Sequence, residues 1–329
     1  MLPQKNLFLF LLPDQPSPHN RVRGSGTDRR RLRRVWSRRK SNPMNMPKSN
    51  VDTAQNGPLQ ASCPLWADII THKRRFDDFV DHYQQGPHRP MIDLKRRHSS
   101  CVLANGERLV LAEGLNGEIG RAALLGALYH DVGRFPQVVR WGTFNDAAST
   151  NHGALGVRVL KRENMLEGET ACVRGIVLSS VALHNRYILP PRLPKAVLTV
   201  TCLVRDADKL DIMRIMAEHV NAVNPGDEVV LRVRNEPDKW SPHIAEMVLK
   251  GMVPSYKDLV YINDFRMLLG TWLEDLYFPA ARAQMAVSGH LEAVLSGLPD
   301  APALREARER LFSLLEREKQ ASHHARPSS

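Results

Sequence analysis

Cysteine is scarce in this chain of 329 residues. There are four, Cys63, Cys101, Cys172 and Cys202, and none forms a Cys-x-x-Cys pair. That excludes a disulfide scaffold, a zinc ribbon and a thioredoxin-like motif, and predicts reduced thiols in a cytoplasmic protein. Long apolar runs are missing too. The longest near the start, Leu7 to Leu12, is six residues, too short for a membrane span and without a small-residue cleavage site, so neither an export signal nor a membrane partner is expected. Strand patterning is sparse, with Val229 to Val233, ahead of Pro237, the one candidate hairpin arm. Positive charge is plentiful overall, at +11, but it is uneven. Residues 1–40 hold eleven Lys and Arg against Asp14 and Asp28, so nine of the eleven net charges sit there and the remaining 289 residues carry only +2. Nucleic acid is therefore expected as a partner only through this basic tail.

Residues 1–60 are rich in Pro, Ser, Asn and Arg and show no apolar period; they read as a disordered basic tail, or as upstream sequence ahead of a start at Met44 or Met46. Beyond Pro64 the pattern turns helical. Trp66, Ile69, Ile70, Phe76 and Phe79 recur at near-helical spacing, and Ile119–Leu128, Leu155–Leu160, Ile176–Leu183 and Val197–Met216 follow. Phe265 to Leu276 and Leu304 to Leu315 supply two more apolar stripes before a polar tail. The prediction is an all-α domain over residues 61–320, with a disordered tail at 321–329.

Chemistry concentrates in the run Ala122 to Phe135, where an apolar helix ends in His130-Asp131 and Gly133 marks a stop. Four further candidates lie on or beside other predicted helices: His98, His152 in Thr150-Asn-His152-Gly, His184 in Ala182-Leu-His184-Asn-Arg, and Asp206 in Arg205-Asp206-Ala-Asp208-Lys209-Leu. A helical bundle can bring such residues to one inward-facing metal site.

The order His98…His130-Asp131…Asp206, with the surrounding words HDVGRFPQ, GTFND, NHGALGVRVL, ALHNR and RDADKLDIM, resembles the HD-domain metal-dependent phosphohydrolase superfamily and, within it, a bacterial subgroup of predicted hydrolases. The resemblance covers about Met91 to Arg214 and implies an HD-domain helical bundle with additional C-terminal helices. It implies that His98, His130, Asp131 and Asp206 bind one divalent ion, that His152 and His184 add a second, and that Asp131 bridges the two. Imidazole and carboxylate ligands suit Mn, Fe, Zn or Ni and do not choose among these or Mg. The implied activity is metal-dependent hydrolysis of a nucleotide or other small phosphoester, with Lys209 and Arg134 as charge stabilisers and Asn185 and Arg186 lining the mouth. The walls of the pocket fall to the Trp141–Ser149 loop and the C-terminal helices.

Two other functions stay open on the same residues. The ligand order is also similar to that of the HD-type diiron oxygenases such as inositol oxygenase, and an HD domain can serve as a non-catalytic ligand-sensing module. The Gly-Tyr-Pro word of the cyclic-dinucleotide phosphodiesterases is absent. Asp208 and Asp211 read as surface or supporting groups, Gly106 as a weak point in the helix after His98, and His82, His219, His243, His290, His323 and His324 as residues without a role.

Overall fold

In the computed structural model, the described residues are 69–220 and 233–324. The basic tail at 1–60 lies outside them, as do most of the Val229–Val233 segment and the last five residues. No strand occurs among the described residues; Arg234 and Tyr261 form one isolated bridge. The described residues adopt the expected all-α architecture.

Twelve helices make up the described part. They are α1 (Ile69–Asp81), α2 (Arg89–Ala112), α3 (Gly117–Tyr129), α4 (Arg134–Trp141), α5 (His152–Arg162), α6 (Ala171–Leu183) and α7 (Lys195–Val220), followed by α8 (Pro242–Leu249), α9 (Ile262–Asp275), α10 (Pro279–Val287), α11 (His290–Leu295) and α12 (Arg305–His324). The last runs four residues past the expected boundary at 320. Local chemistry sets their ends. Pro90 opens α2, where a missing N–H costs nothing. Asn151 caps α5 by accepting the Ala154 N–H at 2.8 Å, and Thr170 caps α6 by accepting that of Val173.

The centre of the molecule is α3, whose residues from Gly120 to Tyr129 are all buried. It packs against α2, α6 and α7, so it is apolar on every side, as a helix with no solvent face must be. Gly106 proves no weak point. The α2 helix runs through it unbroken, and a Cβ there would stand 3.0 Å from that of Ala127, so the glycine lets α2 and α3 close up. The helices after α7 build their own cluster, with α9 packed on α8 and α11, and α10 on α12. This cluster docks on α7 through α10 and α11.

The tightest approach lies just after the His-Asp pair. A Cβ on Gly133 would meet the His152 carbonyl oxygen at 2.3 Å and the Gly156 nitrogen at 2.6 Å. The start of α4 thus rests directly on the first turn of α5, which aligns His152 with Asp131. Gly133→Ala is expected to push the two helices apart and destabilise the protein by about 3 kcal/mol, as overpacking against backbone does. A lowered melting temperature checks this, while Gly175→Ala, at a position with open space around it, serves as the neutral control.

Candidate metal centre

Five helices or their ends deliver the candidate residues to one point. His98 comes from the middle of α2, His130 and Asp131 from the turn after α3, His152 from the first residue of α5, His184 from the end of α6 and Asp208 from the middle of α7. All but Asp208 are at most 5% exposed.

Their atoms form two groups. In one, His98 Nε2 lies 3.3 Å from His130 Nε2 and 3.1 Å from Asp208 Oδ1. In the other, His152 Nε2 lies 3.0 Å from His184 Nε2. Asp131 stands between them. Its Oδ2 is 3.6 Å from His130 Nε2 and 3.8 Å from His98 Nε2, and its Oδ1 is 3.4 Å from His152 Nε2 and 3.6 Å from His184 Nε2. One carboxylate therefore offers an oxygen to each group.

The remaining ring nitrogens fix the tautomers. His130 Nδ1 donates to the Ala127 carbonyl and His184 Nδ1 to the Val181 carbonyl, each at 2.8 Å. His98 Nδ1 donates to Asp211 Oδ2 at 2.7 Å and His152 Nδ1 to Asp146 Oδ2 at 2.6 Å. Carbonyl and carboxylate oxygens only accept, so each Nδ1 carries a proton and each ring, in its neutral form, turns the Nε2 lone pair inward. Lone pairs 3.0–3.3 Å apart repel unless positive charge lies between them. Four imidazoles and two carboxylates arranged this way fit a divalent cation, with the outer hydrogen bonds orienting the ligands as in known metal sites.

The electrostatics agree. Burial pushes His130 down to about 4 and His152 to about 3, which keeps both rings neutral. Asp131, despite burial that works the other way, is held well below the ordinary carboxylate range, first by Lys95 and also by Arg134. Asp208 falls to about 2 against the same burial penalty, chiefly through its hydrogen bond to His98. His98 is the exception. Burial and Lys95 work to lower it, yet the hydrogen bonds to Asp208 and Asp211 hold it above its usual value, because positive charge is favoured between those carboxylates.

Three residues stand elsewhere than the sequence reading placed them. Asp206 does not join the cluster. Two residues along a helix are about 200° apart, so Asp206 and Asp208 face opposite ways, and it is Asp208 that meets His98. Asp206 instead accepts the backbone N–H groups of Tyr277 and Phe278 at 2.9 and 2.8 Å, pinning the start of α10 to α7. Lys209 is not among the residues around Asp131 either: its ammonium pairs with Asp275 and lies over the Trp272 ring. Asp208, read with Asp211 as a surface or supporting group, lies in the cluster itself, whereas Asp211 is buried and has the supporting place, orienting His98.

Other residues escaped the sequence altogether. Lys95, one turn before His98, is 1% exposed and donates to Asp131 Oδ2 at 2.6 Å. Asp146 accepts from His152 and from Arg134 and Gln137. Helical spacing ahead of His98 was the available signal for Lys95; a loop aspartate leaves none. Arg134 sits with its Nε 3.5 Å from Asp131 Oδ1 and without a hydrogen-bond partner, and Asn185 Oδ1 is likewise buried and unpartnered. Asn185 lies against Asp146 and His152 through its Nδ2, whereas the Arg186 carbonyl accepts from Arg205.

Comparison with protein families agrees with this geometry. Residues 97–213 match the family model of the HD domain. Over these residues the chain is similar to the HD domain, a helical fold, and the match is consistent with the HD-domain metal-dependent phosphohydrolase superfamily. The match contains every residue of the cluster and stops short of Lys95 and of α8 to α12. No curated protein and no solved structure matches the chain. No helix among the described residues is long and apolar enough to cross a membrane.

The two neighbouring aspartates on α7 separate by experiment. Asp206→Ala leaves two backbone donors without their acceptor and is expected to cost about 2 kcal/mol of stability. Asp208→Ala, at a position with no such duty, is expected to unfold within about 1 kcal/mol of wild type. Chemical denaturation of the two variants reads this difference.

Proposed function

We propose that the protein is a metal-dependent phosphohydrolase acting on a small phosphorylated substrate, with nucleotides the leading class. The observation that carries the proposal is the division of the Asp131 carboxylate, one oxygen facing His98, His130 and Asp208 and the other facing His152 and His184. His98, His130, Asp131 and Asp208 would hold one divalent ion, and Asp131, His152 and His184 a second. Bound ions of this kind supply a hydroxide nucleophile at neutral pH and neutralise charge on phosphoryl oxygens.

The chain's own residues do the rest. Asp211 and Asp146 hold His98 and His152 in the tautomer that presents Nε2. Arg134, anchored by Asp146 and the Phe144 carbonyl, keeps its Nε free beside Asp131 and offers positive charge to a phosphoryl group. Lys95 supplies a second buried cation at the same carboxylate. The cluster's burial excludes bulk water and strengthens each of these interactions. The residues 142–151, with Phe144 and Asp146 folded inward, form one wall of the substrate site.

Metal content by mass spectrometry and hydrolysis of a panel of nucleotides and p-nitrophenyl phosphate test the proposal. Wild type is expected to hold close to two ions per chain, Asp208→Ala about one, and Asp131→Ala neither, with turnover falling at least about a thousandfold in Asp131→Ala. Asp206→Ala should retain wild-type metal content. Asp146→Ala and Asp211→Ala should weaken metal binding about 10- to 100-fold, the usual effect of removing a residue that orients a ligand. Bound iron with dioxygen consumption and no phosphate release would replace this assignment with the oxygenase one.

A further inference from the structure

On the far side of His98 from the metal cluster, a cavity of about 290 Å³ opens between α2 and α7 of the HD domain and the corner joining α10 to α11. Its floor is Asp211. One oxygen of this carboxylate accepts from His98 Nδ1 at 2.7 Å and the other from Arg214 Nε at 2.8 Å, so its charge is already committed. Arg108 stands at the wall, exposed, and donates to the neutral Asn105 amide oxygen at 2.7 Å; it is in no ion pair within 4 Å among the described residues, with the Glu107 carboxylate the acidic group that feels its charge. His290 adds a second group able to donate. Met213 and Met285 supply buried, polarisable apolar surface beside Arg108 and Arg214.

We propose that this cavity is a second ligand site, taking a small organic anion that carries one phosphate or carboxylate group on an apolar body. The arginine binds the anionic group in a bidentate fashion and the methionines cover the body. The volume lies at the lower edge of ordinary ligand pockets, about 300–1,000 Å³, which sets the size at a single ring or short chain with its charged group. The site communicates with the metal centre through one side chain. An anion that draws Arg214 toward itself weakens the Arg214–Asp211 pair, and Asp211 is the residue that orients His98. Binding at the two places is therefore coupled, and the coupling is reciprocal.

The test uses the full chain and needs no turnover, so it stands apart from the hydrolase proposal. Phenylphosphonate, benzoate and inorganic phosphate are titrated by calorimetry into metal-free protein, the first two distinguishing a phosphate-type from a carboxylate-type head group. One of these two is expected to bind in the millimolar range or tighter, and better than inorganic phosphate. Arg108→Glu, an exposed substitution, should weaken binding at least tenfold without lowering the melting temperature. Saturating the site should change the Mn affinity of the metal centre at least about fivefold, the lower end of ordinary coupling. Absence of saturable binding, binding indifferent to Arg108→Glu, or an Mn affinity unchanged on saturation overturns the proposal.

Discussion

The site depends on one carboxylate that has more neighbours than it can neutralise alone. Asp131 touches two pairs of imidazoles, one ammonium and one guanidinium within 4 Å. Removed from water, a single negative charge could not remain ionised without them; with them it stays ionised far below its ordinary range. Position follows from backbone. Asp131 sits in the turn between α3 and α4 because Gly133 lets α4 begin against α5. The buried, apolar α3 brings that turn to the middle of the bundle. The supporting helices then need only supply one inward residue each.

Much of this was legible in the sequence, and the reason is that the informative words are local. His130-Asp131 at the end of an apolar helix, His152 after a capping Asn151 and His184 at the end of Ile176–Leu183 each sit where a helix terminus turns inward. Periodicity alone located these termini within a few residues. The helical class and the C-terminal helices were equally visible, since Phe265–Leu276 and Leu304–Leu315 carry clear stripes.

What failed to read did so for a geometric reason. Arg205-Asp206-Ala-Asp208-Lys209-Leu-Asp211 lies on one continuous helix, and only the phase of that helix decides which aspartate faces His98. The α7 helix is buried on nearly every side, so its apolar residues carry almost no phase information. Asp206 and Asp208 were thus indistinguishable by pattern, and tertiary packing chose Asp208. Asp146 was hidden for a different reason: it approaches His152 from a loop, and no period predicts where a loop side chain turns. Gly106 shows the opposite case, a residue whose poor helix propensity was visible but whose purpose, close contact with Ala127, was not.

The α7 helix also sets a mechanical condition on the molecule. Its Asp208 looks into the metal cluster, while Asp206, half a turn away, grips the two amides that lead into α10. A rigid rod held at two opposite points of its circumference has no free rotation about its axis. Any twist that moved Asp208 relative to His98 would drag those amides in the other direction. Ligand alignment and the docking of the C-terminal helices are thus one degree of freedom rather than two. The helices beyond the family match thus act as a torsional brace for the metal centre through α7.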